Sequence, residues 1–299
     1  EAEFRSYYGR PIIKEPVWTW EVPCYFFAGG LAGASASLGL GARLSGNDRL
    51  ARAAFTVAGA GATAGVPLLV SDLGRPERFL YMLRMFKVTS PLSVGSWVLA
   101  GMGPAAVGAM VSDRLGIFPR LGRVAEVAAG LLGPALATYT GTLVADTAVP
   151  VWHEAGRELP FVFAGSAAAS AGAAAALLTP AADAGPARRL VVTGALLELG
   201  AAQTMERRLG ELGEPYHQGP AGRLARLAKA CTAAGAGLVA LGGRRRAAVA
   251  AGAALVLAGS ACERWAVYKA GFQSARDPRY VVEPQRARLA RRRLERLAD

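Results

Sequence analysis

The chain has 299 residues, 53% of them hydrophobic, with 34 Lys and Arg against 22 Asp and Glu for a net charge of +12. A mean hydropathy of +0.28, carried in long apolar runs without a polar face, argues against a soluble helical protein. The positive charge lies in short loops and in the C-terminal segment, which excludes a continuous nucleic-acid patch and suits a membrane surface and a protein partner.

In chain order, the first twenty residues hold Arg5, Arg10 and Lys14 and no apolar stretch before Val22, so the first span is expected to act as its own insertion signal. Windows of membrane length predict eight spans, near residues 22–44, 50–71, 91–112, 122–148, 159–179, 187–206, 223–242 and 246–269. The expected fold is an all-α integral membrane protein. Its spans divide at Pro150–Pro160 into two consecutive four-helix bundles, residues 1–150 and 151–272, followed by a basic partner-docking tail over 273–299. Small residues at four-residue spacing, Gly29/Gly33, Gly61/Gly65, Ala168/Gly172 and Gly237, are expected to let helices approach closely.

Between the second and third spans, Asp72-Leu-Gly-Arg-Pro76 stops one helix and Ser90-Pro91 opens the next. From Glu77 to Lys87 the stripe Phe79, Leu80, Leu83 and Phe86, with Arg78, Arg84 and Lys87 turned away from it, predicts a short helix lying in the membrane interface. Charges so close to membrane spans are costly unless they pair, line a site or meet a partner.

Tyr139 falls inside the fourth span, Asp146 follows seven residues on, and His153 seven after that, a spacing that keeps residues near one face until Pro150 interrupts it. Asp72 and Glu21 reach the same membrane side. Each has a plainer reading: Tyr139 as a core tyrosine, Asp72 as a partner of Arg75 or Arg78, Trp152 as an interfacial anchor. Glu126 and Glu198 lie within spans and are candidates for a proton path from the far side, with Glu126 alternatively paired to Arg123. Three scattered cysteines, Cys24, Cys231 and Cys262, and two ill-placed histidines, His153 and His217, predict neither iron–sulfur cluster nor haem in this chain, and no metal site. At the C-terminus, Asp277–Pro284 is expected to be an extended arm, and Arg286–Leu297 an arginine-rich helix docked on a partner.

Three stretches carry a resemblance. They are Asp72-Leu-Gly-Arg-Pro76 with Ser90-Pro91-x-Ser93-x-Gly95-x-Trp97; then Tyr139-Thr-Gly141 with Pro150-x-Trp152 and Leu159-Pro160-Phe161; and, more weakly, Trp18-x-Trp20 leading into Phe26–Gly33. Together they resemble the NrfD/PsrC family of membrane anchors of molybdopterin oxidoreductases. The resemblance implies a quinone-reactive anchor subunit in the prokaryotic plasma membrane, working with a ferredoxin-like iron–sulfur subunit and a molybdopterin catalytic subunit, formate dehydrogenase-like among the options. It implies a quinone, menaquinone in particular, near Tyr139, and with it Asp72, Arg75, Asp146 and His153; it also favours termini on the outer side. The alternative is an ion-translocating or secondary transporter-like subunit, which eight spans with sparse internal charge would also suit.

Overall fold

The computed structural model describes residues 11–243 and 245–298. Among them every regular element is helical: α1 Glu21–Leu44, α2 Asp48–Asp72, α3 Pro91–Leu115, α4 Pro119–Ala145, α5 Pro150–Glu154, α6 Leu159–Leu178, α7 Gly185–Leu209, α8 Gly219–Leu241, α9 Arg246–Arg276 and α10 Arg279–Ala298, with 3₁₀ turns at Pro76–Leu83 and Gly210–Tyr216. Local chemistry sets many of these boundaries. Pro91, Pro119 and Pro150 open their helices, where a missing N–H costs nothing. Asn47 and Ser90 cap α2 and α3 by accepting from the amides of Leu50 and Ser93, and left-handed Gly116 closes α3.

Seven of these helices are long and apolar enough to cross a membrane: α1, α2, α3, α4, α6, α8 and α9. The protein is a multi-pass membrane protein. The helix expected as the sixth span, α7, falls outside that set because Arg188, Arg189, Glu198, Glu206, Arg207 and Arg208 interrupt it. Its two ends nevertheless lie at opposite faces. Asp183, just before α7, accepts from Asn47 through its carbonyl and pairs with Arg49, beside the start of α2. Near its other end, Arg208 donates to Glu158 at 2.6 Å, beside the start of α6.

α1 packs mainly on α2 and α4, and α3 on α4; in the other half α6 packs on α7 and α8 on α9. The halves meet where α6 lies against α1 and α4. Glycines let these backbones touch: a methyl at Gly61 would lie 3.0 Å from the Ala28 carbonyl, one at Gly172 2.6 Å from that of Ala187, and Gly33 abuts Gly133. Gly237 meets nothing within 4 Å and has no such role.

The structure corrects several expected boundaries. The fourth span ends at Ala145, leaving Asp146 as its cap residue. The last span continues to Arg276. The predicted interfacial helix is only the 3₁₀ turn Pro76–Leu83, because Ser93 and Trp97 both donate to the Met85 carbonyl and hold that segment away from helical bonding. The predicted extended arm is the first turn of α10. Pro278 precedes the helix, where its ring is harmless, and Asp277 accepts from the Arg279 amide.

Candidate functional site

Tyr139 on α4 points toward α1, where its hydroxyl hydrogen-bonds the hydroxyl of Tyr25. The ring of Tyr139 lies against Gly95 of α3, so closely that any side chain there would collide with it. Tyr25 is only 2% exposed and its ring rests over Gly29 and Gly65. Four helices, α1 to α4, and the three sequence stretches thus converge on one pair of phenols. When two phenols share one hydrogen bond, a single donor proton is left over, and it is available to a carbonyl or a second oxygen. Reading the sequence alone misses Tyr25. Its signal is a tyrosine a few residues inside an apolar span, directly before Phe26.

An aromatic seam extends from this pair toward the second half. Phe26 neighbours Phe163 of α6 with centroids 5.9 Å apart, and Trp18 stacks on Trp152 at 5.3 Å. Trp152 is therefore not an interfacial anchor: it is fully buried, its indole donates to the Val267 carbonyl at 2.7 Å, and it fills the space that Gly271 leaves open.

The other expected site residues are distributed more widely. Asp72, at the end of α2, accepts from both the amide and the hydroxyl of Thr19, at 3.1 and 3.0 Å, so its partner is the segment entering α1 rather than Arg75 or Arg78. Arg75 is exposed at the start of the 3₁₀ turn. Asp146 is exposed just beyond α4. His153 is exposed as well and, with Glu154, Tyr280 and Arg288, lines a cavity of about 270 Å³ between α5 and α10. All four lie on the face that carries the termini, together with Glu21 at the start of α1.

Glu126 lies at the opposite face. Arg43 of α1, not Arg123, donates to both its oxygens, at 2.6 and 3.1 Å, and also reaches Asp48 and Asp113; Arg52 completes the lattice on Asp113. Glu198 is separate from it, in the core of α6–α9 at 2% exposure, with one oxygen 3.5 Å from the Thr232 hydroxyl and the other unpartnered among the described residues. Around it stand groups that the sequence reading does not single out. Arg264, 1% exposed, rests its guanidinium over the Phe163 ring at 3.8 Å and donates to the Phe163 carbonyl, while two of its nitrogens find no partner among the described residues. Glu263 is 5% exposed, and Ser166 bonds Ser260 at 2.8 Å. Adjacent acid and base inside a membrane-length run, Glu263-Arg264, is the signal that marks them.

The family model for polysulphide reductase NrfD matches residues 12–209, which include α1 to α7 and both tyrosines. The chain belongs to the NrfD family. No curated protein matches it. Among the helices that the match leaves out are α8 and α9, so the NrfD region contributes both tyrosines and Glu198, whereas Glu263, Arg264 and Lys229 come from beyond it.

Proposed function

We propose that this NrfD-family protein is the quinone-reactive membrane anchor of a multi-subunit oxidoreductase in the prokaryotic plasma membrane. It would pass electrons between a docked iron–sulfur subunit, itself served by a molybdopterin catalytic subunit of formate dehydrogenase-like or related type, and a quinone such as menaquinone. The observation that carries this reading is the Tyr25–Tyr139 hydroxyl pair, held against Gly95 inside an uncharged core where the family-like stretches meet. A quinone head needs donors for its carbonyls and a source of protons when it takes two electrons, and a phenol pair supplies the first. Asp72, with Arg75 beside it, stands at the mouth of that region, and Asp146 and His153 lie farther out on the same face.

The reading takes α7 as an eighth span, supported by its ends lying at opposite faces, and divides the chain into two four-helix bundles at α5. We place proton handling on Glu198 and give Glu126 the ion-pair role that its contact with Arg43 supports. The buried charges of α6–α9 favour a second reading, an ion-translocating subunit, and the same experiment separates the two. In the purified complex, Tyr139→Phe is expected to cut quinone-linked turnover at least about tenfold, the scale of a lost proton-transfer partner, while dye-linked turnover by the partner subunits persists. Equal loss of both activities, or none of either, defeats the quinone reading.

A further inference from the structure

The buried charges of α6–α9 form an ordered file. At the face carrying the termini, exposed His217 lies 3.9 Å from Glu206, and Glu206 accepts from Lys229 at 2.6 Å. Glu206 is 8% exposed and sits two turns from Glu198 on one face of α7, with Ala202 between them. Glu263 is within electrostatic reach of both Glu206 and Lys229, and with Arg264 acts on Glu198. Buried Tyr216 stands beside Glu206 and Glu263 with its hydroxyl unpartnered. α6 faces the file with the hydroxyl of Ser166, α8 with Lys229 and Thr232, and α1 with Gly30. Glu198 lies about 16 Å from the end of its helix, roughly mid-membrane at 1.5 Å per residue.

Beyond Glu198 the character changes. Toward the opposite face the space between the four helices is filled by Ala169, Ala173, Val191, Ala195, Val239 and Val256, all buried. Backbones there are in direct contact: a methyl at Gly194 would lie 2.8 Å from the Gly165 carbonyl, and one at Gly235 2.6 Å from that of Gly252. The buried hydroxyls on this side among the described residues, Ser170 and Thr179, are both spent on their own helix. Among the described residues, no buried titratable side chain lies between Glu198 and the far rim at Arg188 and Arg189.

We propose that Glu198 is the inner end of a one-ended proton-exchange file. The file opens to the face of the termini through His217, Glu206, Lys229, Glu263 and Arg264, and packed glycines close it toward the other face. Each step moves one proton between water and a carboxylate and needs no electron. The unpartnered oxygen of Glu198 and the two free nitrogens of Arg264 are the atoms a water chain would satisfy, since buried polar groups of this kind are costly alone. Arg264, at the edge of α1, is where the file comes nearest the tyrosine half. The inference rests on the proposed function only for the proton's destination. It reverses the sequence-based expectation of a path from the far side.

Two measurements on the full chain in proteoliposomes test it without any quinone. In a background where Cys24, Cys231 and Cys262 are replaced by alanine, Ala202→Cys is expected to react with a membrane-impermeant maleimide from the termini face, which protease access to the C-terminal segment identifies. Ala195→Cys is expected to react from neither. Labelling of Ala195→Cys from the far face, or failure of Ala202→Cys from both, overturns the proposal. In infrared difference spectra, the protonated-carboxyl band that Glu198→Gln removes is expected to exchange in heavy water at least tenfold more slowly in Glu206→Gln; an unchanged rate removes Glu206 from the route. Failure of the quinone reading would appear in Tyr139→Phe turnover and leave both results untouched.

Discussion

The helices ahead of Asp146 and those after Glu158 are built from the same Ala- and Gly-rich sequence, yet they place their charges in opposite ways. In α1–α4 the charged lattice lies at the far rim, where Arg43 ties together Asp48, Asp113 and Glu126, and the buried polar side chains of the core are uncharged: the phenol pair with Ser35, Ser96 and Thr140. In α6–α9 the acids and the arginine lie in the core itself, and the rim toward the far face is sealed by apolar contact. A rim lattice that keeps Asp48 and Arg52 in water and satisfies the buried Glu126 through Arg43 fastens helices together at modest electrostatic cost. Buried charges are expensive and persist only where they are compensated or used. The difference teaches that helix count and hydropathy describe a membrane protein's shape, while the depth of its charges describes its work.

The largest expected effect tests that contrast directly. Arg264→Gln leaves Glu198 and Glu263 without their buried cation and should destabilise the chain by about 3–5 kcal/mol, the cost of breaking a buried charge arrangement from one side. Arg43→Gln strands the buried Glu126 but at a rim where the guanidinium is a quarter exposed, and should cost less, about 1–2 kcal/mol. Thermal unfolding of the two variants in detergent compares them. The double variant Glu198→Gln/Arg264→Gln should recover part of the loss, because it removes charge of both signs. If Arg43→Gln is the more damaging, the core and rim assignments are reversed.

At the tyrosine pair the expected effects are on activity rather than folding. Tyr25→Phe should lower quinone-linked turnover as Tyr139→Phe does, since either change breaks the shared hydrogen bond. Asp72→Asn keeps an oxygen for Thr19 but removes the charge, so a fall in turnover with normal assembly assigns the charge a role at the mouth. Normal turnover per assembled complex would leave Asp72 as a tie between α2 and the segment entering α1.

Much of this architecture was legible as pattern. Apolar runs opened by proline mark α3 and α4 to within a few residues, and Tyr139 stands out through its neighbours in sequence. What pattern does not contain is the partner across the bundle. Tyr25 and Tyr139 are 114 positions apart, and Arg43 and Glu126 are 83 apart, so local spacing favoured Arg123 as the nearer cation. The same limit made Trp152 look like an interfacial anchor, because only tertiary contact reveals Trp18 stacked upon it. Glu263-Arg264 carries a local signal that the sequence reading passes over, an acid beside a base in an apolar run, and its connection to Glu198 depends on how α7 and α9 are placed.

The C-terminal helix sharpens the comparison from outside the membrane. Truncation at Gly271 would strip Phe272 and Ser274 from the contacts around Trp152 and Val151 and so confuse docking with folding. Removing everything after Asp277 is cleaner. It deletes Tyr280 and Arg279, which both bind Glu214, and Arg288, which reaches Glu154. The remaining helices should stay inserted while the proposed iron–sulfur partner is lost on purification. Full co-purification by the shortened chain would mean that α10 serves only its own chain.

The smallest effect belongs to the tether between the entering segment and α9. Glu15 accepts two hydrogen bonds from Arg276, at 2.9 and 3.0 Å, and that contact holds its carboxyl below the usual range. A carboxyl depressed in the folded state stabilises it at pH values above the unfolded value, and the benefit disappears as pH falls through the folded one. Both side chains are largely solvated, so the pair should contribute at most about 0.5 kcal/mol. Glu15→Gln should therefore melt slightly below the parent chain at neutral pH, and the gap should close in acid as Glu15 takes up its proton. A gap of the same size at both ends of that titration would show that the segment is held by Trp18 stacking on Trp152 and by Tyr268 donating to the Trp18 carbonyl, with the ion pair contributing nothing measurable.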